Sequence, residues 1–261
     1  MLALGSLRTL GKDDMAADQP TRILLKLSGE AFGGPGGFGI DTDQLKLIGS
    51  EIKKATKLGV QLAVVVGGGN IIRGAELAES GGVEQGTADY MGMLGTVING
   101  MALRVQLMSI GVDSRVMSAL EIRAVAEPFI RNRAIRHLEK GRVVVLVAGT
   151  GNPYFTTDTC AALRATELGC TQLLKATKVD GIYSADPKKH PDATRYERIS
   201  FDDALAKGLA VMDVTAFAMC RERKIPIRVF QFDVPGNIER VIAGEPIGTL
   251  VDASAKETAA L

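Results

Sequence analysis

The stretch Ile23-Leu-Leu-Lys-Leu-Ser-Gly-Glu30 decides the fold. Ile23 to Leu25 and Leu27 are apolar, and only Lys26 breaks the run. A short apolar run that ends in small polar residues and glycine reads as a buried parallel strand opening into a loop. Ligands of parallel sheets sit beyond the carboxyl ends of the strands. Lys26 stands at that end as a point charge, and Ser28-Gly29 lets backbone N–H groups approach an anion.

The pattern recurs along the chain. Asp41 caps a helix carrying Leu45, Ile48, Ile52 and Ala55 at helical spacing, and Gly59 ends it as a C′ residue. Val60 to Val66 is a second buried strand, so the two strands and the helix form a parallel β-α-β unit. It ends in Gly67-Gly-Gly-Asn70, a phosphate-type glycine loop, followed by Arg73 with its fork of donors. Residues 74–86 read as a mobile connection. Thr87 to Ser109 is a long helix with Met91, Leu94, Ile98, Met101, Val105 and Met108 at helical steps, a stripe suited to core or subunit contact. Asp89 in its first turn favours the helix dipole.

Ser114 to Met117 is a short strand, Asn132 to Lys140 a helix, and Val143 to Ala148 another buried strand. It opens into Gly149-Thr-Gly-Asn-Pro-Tyr-Phe-Thr-Thr-Asp158, whose threonines and amide suit a base edge and whose aromatics suit a ring. Thr157 or Asp158 caps a helix from Thr159 to Leu168. Leu173-Leu174 then ends in Lys175, repeating the strand-then-lysine design, with Tyr183 and Asp186 in the following loop. Helices are expected at Phe201 to Lys207, Asp213 to Arg223 and Asn237 to Ala243, and a strand at Ile227 to Phe232.

Composition excludes several function classes. Lys+Arg is 31 against Asp+Glu 30, so no overall basic field recruits nucleic acid. Cys160, Cys170 and Cys220 form neither a disulfide framework nor a zinc pattern, which fits a reducing cytoplasm. The apolar runs are far below membrane-spanning length. Gly34-x-Gly36-x-x-Gly39 formally matches a dinucleotide fingerprint, but it starts seven residues after its strand and no acidic residue closes the next one. No G-x-x-x-x-G-K-[ST] sequence occurs, so this is not a P-loop chain. Residues 1–20 read as a flexible extension without a signal peptide, residues 21–252 as one domain, and residues 253–261 as a loose tail.

In order along the chain, Leu25-Lys-Leu-Ser-Gly-Glu30, Val66-Gly-Gly-Gly-Asn70 with Arg73, Asp89 before Met91-Gly-Met, Thr150 to Thr157, and Lys175-Ala-Thr-Lys-Val-Asp-Gly181 resemble the bacterial uridylate (UMP) kinases of the amino-acid-kinase superfamily. The resemblance runs from about Arg22 to Val251, and Thr150 to Thr157 is its most specific part. It implies a three-layer α/β/α sandwich with a mainly parallel central sheet, assembled as a homohexamer. It implies transfer of the ATP γ-phosphoryl to UMP, with Mg²⁺ carried on the nucleotide and no protein metal site. Lys26, Leu27, Ser28, Gly29, Gly69, Arg73, Thr177, Tyr183 and Asp186 would face ATP. Gly68, Arg73, Asp89, Thr150, Gly151, Asn152, Pro153, Tyr154, Phe155, Thr156 and Thr157 would face UMP. Lys26 and Lys175 would grip the moving phosphoryl, with Asp158 holding both ammonium groups. Gly34, Pro35, Gly36, Gly37, Phe38 and Gly39 match the segment tied to activation by GTP, and inhibition by UTP is implied as well. Thr171 stands where many relatives are acidic, which touches regulation or the placement of Lys175. A relative acting on acetylglutamate, aspartate or carbamate would share the lysines without the Thr150 to Thr157 loop. A non-catalytic nucleotide-binding protein would have no need of Lys26, Lys175 and Asp158 together.

Overall fold

The computed structural model describes residues 21–34, 36–73, 78–79, 82–187, 189–209, 211–254 and 258–259. Residues 1–20, Pro35, and part of the 74–86 connection therefore lie outside the described residues. The strands are β1 (Arg22–Leu27), β2 (Gln61–Val66), β3 (Ser114–Ser118), β4 (Glu127–Pro128), β5 (Val143–Val147), β6 (Gln172–Thr177), β7 (Tyr196–Ser200), β8 (Ile227–Gln231), β9 (Thr249–Asp252) and β10 (Thr258–Ala259). The helices are α1 (Thr42–Thr56), α2 (Gln85–Ser109), α3 (Arg131–Glu139), α4 (Thr157–Leu168), α5 (Phe201–Ala206), α6 (Val214–Arg223) and α7 (Asn237–Ile242).

Among the described residues all these strands join one sheet in the order β10-β7-β9-β8-β6-β1-β2-β5-β3-β4. Pairing is parallel except at β8–β9 and β7–β10. Side-chain alternation divides the core into two layers. Ile23, Leu25 and Leu27 of β1 pack with α1, α2 and α7, while Leu24 packs on the other face with α3, α4 and α6. The result is an α/β/α sandwich with a mainly parallel sheet.

The alternation also aims the lysines. Lys26 follows Leu25 and so points to the Leu24 face, the side covered by α4. Lys175 follows Leu174, which belongs to the first layer, and so points the same way. The two lysines are register partners on neighbouring strands. Strand β1 lies between β6 and β2. The helix leading to β2 lies on one face and the helix leading to β6 on the other, which is the topological switch point where open α/β sheets bind ligands.

Several local expectations change. Helix α4 starts at Thr157, and its cap is Thr156, whose hydroxyl accepts from the N–H groups of Asp158 and Thr159. Asp158 is thereby free to turn toward the lysines. Helix α2 starts at Gln85 with Glu84 as its cap, so Asp89 lies beyond the first turn. Helix α1 stops at Thr56 with Lys57 as its cap, and Gly59 takes a positive φ two residues beyond that cap. Four strands, β4, β7, β9 and β10, were absent from the sequence reading. Thr258–Ala259, within the segment read as a tail, pairs with β7. Thr171 donates from its backbone and its hydroxyl to the Arg22 carbonyl, at the opposite end of the strand pair from Lys175.

Close approach of backbones explains the glycines of the switch point. A Cβ on Gly29 would lie 2.5 Å from the Gly69 nitrogen, and one on Gly67 would lie 2.6 Å from the Gly29 nitrogen. On α2, a Cβ on Gly100 would meet Val147 Cγ1 at 2.3 Å, whereas one on Gly92 would meet nothing within 4 Å. Alanine gains about 1 kcal/mol over glycine in a helix interior. Overpacking a well-filled core costs about 1–3 kcal/mol. Gly92→Ala should therefore raise the urea midpoint of unfolding and Gly100→Ala should lower it. Equal shifts of the same sign would refute the packing account.

Candidate active site

Asp158 is the centre of the cluster. Helix α4 brings it under the paired lysines, where Lys26 Nζ lies 2.9 Å from Oδ1 and Lys175 Nζ donates to Oδ2 at 2.7 Å. The Lys26 contact is an ion pair without hydrogen-bond alignment. Lys175 also donates to the Val211 carbonyl at 2.6 Å. The side chains of Lys26, Asp158 and Lys175 are only 10%, 14% and 18% exposed. Burial pushes the Asp158 carboxyl upward, but the charges of Lys26 and Lys175 and the hydrogen bond from Lys175 outweigh it, and it ends below the ordinary carboxylate range. Two cations against one anion leave the cluster with net positive charge, suited to phosphate oxygens.

The cluster stands between two cavities. One, of about 450 Å³, is lined by Lys175, Thr177, Tyr183, Asp186, Lys207 and Val211 among others. The other, of about 290 Å³, is lined by Ser28, Gly29, Gly68, Gly69, Asp89, Thr150, Phe155 and Thr157 among others. The residues expected to face ATP are thus divided: Thr177, Tyr183 and Asp186 go to the larger cavity, and Ser28, Gly29 and Gly69 to the smaller. Arg73 lines a third cavity beside the second, with Gly36, Gly37, Phe38 and Gly69. Leu27, expected to face ATP, is fully buried, and its carbonyl accepts from the Gly67 N–H.

The loop after β5 is held in shape by its own polar groups. Ala148, Gly149, Gly151 and Tyr154 all have positive φ. The Thr150 hydroxyl accepts from Asn152 N and donates to Asn152 O, at 3.2 and 3.1 Å. Asp89 Oδ2 accepts from Tyr154 N at 2.7 Å, and the Tyr154 hydroxyl donates to Glu84 at 3.5 Å. Asp89 therefore ties the loop to α2 rather than serving the helix dipole. Tyr154 and Phe155 are 72% and 51% exposed. Gly151 and Pro153 shape the turn, and Thr156 is taken up by capping.

The supporting roles of three residues, Asp213, Asn70 and Asn99, emerge only in the structure. Asp213 caps α6 and accepts from the hydroxyls of Thr156 at 2.5 Å and Thr159 at 2.9 Å, so it joins the heads of α4 and α6 and sets Val211 against Lys175. The buried amides of Asn70 and Asn99 bond each other at 2.6 and 3.1 Å. Asn99 also donates to Gly67 O at 2.8 Å, and Asn70 to Gly39 O at 2.6 Å. This pair ties the glycine loop of β2 to α2 and to the Gly34 to Gly39 segment. The Asx cap pattern before α6 was visible, but its partners lie more than fifty residues away in sequence.

No group of three or more His, Cys, Asp or Glu that could hold a metal occurs among the described residues. The cavity walls carry the Lys175 and Lys207 side chains and the glycine loops together with the carboxylates of Glu30, Asp89 and Asp186, and Asp158 is already engaged by both lysines. None of the helices among the described residues is long and apolar enough to cross a membrane.

The model of the amino acid kinase family matches residues 21–231. The UMP kinase of Bacillus anthracis is 38% identical and superposes with a TM-score of 0.89, covering 93% of this chain and 100% of that one. The UMP kinase of Ureaplasma parvum is 38% identical with a TM-score of 0.85, over 90% of this chain and 100% of that one. The uridylate kinase of Archaeoglobus fulgidus is 28% identical with a TM-score of 0.66, over 88% and 99%. A family match over most of the chain, two relatives at this identity and a lysine–aspartate–lysine cluster at the switch point agree: the chain belongs to the amino acid kinase family and groups there with the UMP kinases.

Proposed function

We propose that this protein transfers the γ-phosphoryl group of ATP to UMP, giving ADP and UDP. The observation that carries this reading is the Lys26–Asp158–Lys175 cluster set between two cavities, in a chain resembling UMP kinases along nearly its whole length. ATP occupies the larger cavity, with Thr177, Tyr183 and Asp186 about its nucleoside and Lys26 to Gly29 about its phosphates. UMP occupies the smaller, against Gly68, Asp89 and the Thr150 to Thr157 loop, with Arg73 at the phosphates of both. Mg²⁺ bound to ATP neutralises part of the phosphate charge.

Phosphoryl transfer passes through a loose transition state with charge spread over the equatorial oxygens. The protein's contribution is to position the groups and stabilise that charge. Lys26 and Lys175 approach from adjacent strands, and Asp158 keeps two like charges side by side. The UMP phosphate is ionised near neutral pH and needs no general base.

The exposed apolar stripe on α2, with Leu94, Ile98, Met101, Val105 and Met108 between 39% and 66% exposed, supports assembly, which we take to be a homohexamer. The buried free thiols of Cys160, Cys170 and Cys220 support a cytoplasmic location. GTP activates the enzyme through Gly34 to Gly39, and UTP inhibits it. Support for the GTP route is the tether from Gly39 through Asn70 to the glycine loop of β2.

Release of ADP dependent on UMP is the direct test. Thr150, Asn152 and Thr157 pair with a polar edge, and a site built for one pattern rejects another because its own groups stay unpaired. UMP should be strongly preferred over CMP, AMP and GMP, and comparable kcat/KM for CMP would sink the acceptor assignment.

Lys175→Met keeps the length of the side chain, and Asp158 retains Lys26. Loss of one electrostatic donor typically costs about 10²–10³ in kcat. The expected pattern is that loss with a nearly unchanged KM for UMP. Near-normal kcat would make this lysine structural.

Deleting Gly36 and Gly37 should weaken activation by GTP while activity without GTP persists. Activation of unchanged strength would remove this segment from the regulatory route.

A further inference from the structure

Three strand-end loops bring three charges to one edge of the cleft. Glu30 stands in the short turn after β1, the central strand of the switch point. Arg73 follows the glycine loop of β2, and Lys178 follows β6, so the two cations come from the two strands that flank β1. Glu30 Oε1 lies 3.5 Å from Arg73 Nη2, and Glu30 Oε2 lies 3.4 Å from Lys178 Nζ. One carboxylate holds a cation on each side, with a separate oxygen for each.

These contacts are too weak to serve the fold. The three side chains are 40%, 50% and 53% exposed, and the separations exceed ordinary hydrogen-bond lengths. Exposed ion pairs contribute little to stability, because water screens them and ordering long side chains opposes them. Pairs of this kind exchange readily for another anion. Glu30 also lines the smaller cavity together with Ser28, Gly29 and Gly67 to Gly69. Of the two carboxylates in that wall, Asp89 is engaged by the Tyr154 N–H and the Gln85 amide, whereas Glu30 stands beside the glycine loops, where its charge opposes the binding of phosphate.

We propose that Glu30 is a positioning residue that acts through Arg73 and Lys178. It keeps the two cations at the mouth of the empty site, yields them to incoming phosphates and takes them back when products leave. Its charge competes with nucleotide phosphates for the same partners and so limits how long UDP and ADP stay bound. The inference rests on the phosphoryl-transfer reading above, since it needs phosphates in these cavities. Where product release limits turnover, such a competitor raises kcat at the expense of affinity.

Glu30→Gln keeps the size of the side chain and removes the charge, and Glu30→Asp keeps the charge on a shorter stem. Equilibrium binding of UDP, ADP and inorganic pyrophosphate should tighten about two- to tenfold in Glu30→Gln, the scale of one or two exposed charge pairs. The gain should fade near about 1 M salt, where the screening length is about 3 Å. KM for UMP should fall together with kcat, and a burst of ADP should appear in the first turnover. Glu30→Asp should return affinities toward those of the unaltered protein. Unchanged affinity in Glu30→Gln would make Glu30 a bystander, and weaker affinity would mean that it aligns the cations for phosphate; either result overturns the proposal. Pyrophosphate reads the cations with no nucleotide present. Its binding ratio alone decides the role of Glu30, whereas absent UMP-dependent ADP release in the unaltered protein would instead refute the kinase reading.

Discussion

The structure depends on keeping two ammonium groups side by side in a largely buried position. Two like charges on register-paired residues of adjacent strands repel, and each loses hydration on burial. Asp158 resolves the conflict by placing one carboxylate oxygen against each. Removing it would leave two buried cations uncompensated, a loss on the scale of about 3–5 kcal/mol for a broken buried pair. Much of the surrounding structure serves that carboxylate. Thr156 takes over the capping of α4, Asp213 locks Thr156 and Thr159, and the Val211 carbonyl accepts a hydrogen bond from Lys175.

A second constraint is the approach of backbones at the switch point. The loops after β1 and β2 touch main chain to main chain, and Gly68 lies against Gly92 O and Thr96 N of α2. No side chain fits between them, so the N–H groups of both loops can face one anion. Such close packing leaves backbone carbonyls in need of donors away from water. The Asn70–Asn99 pair supplies them to Gly39 and Gly67. The same bonds make the glycine-rich segment after β1 and the glycine loop after β2 parts of one assembly.

Helix α2 has a double role. Ala88, Asp89, Gly92, Met93 and Thr96 form a wall of the smaller cavity, while Leu94, Ile98, Met101, Val105 and Met108 stay exposed on another side. One helix of 25 residues thus carries both faces.

The sequence by itself determined the strand-and-lysine units, the glycine loops after β1 and β2, the recognition loop after β5 and the order of the central elements. These signals are local: apolar runs, punctuation by glycine and the spacing of caps. It also placed Lys26 and Lys175 at strand ends. Only the tertiary structure decided that β6 lies beside β1 rather than beyond β5, which makes the two lysines neighbours. It likewise decided that Asp158 faces them instead of capping its helix, that Asp89 holds the Tyr154 amide, and that Asn70 meets Asn99. The short strands β4, β7, β9 and β10 were invisible for the same reason. Two to five residues of mixed polarity acquire strand geometry only when a partner supplies the other half of each hydrogen bond. Register, pairing and the far ends of hydrogen bonds are properties of chain segments brought together, and no single segment carries them.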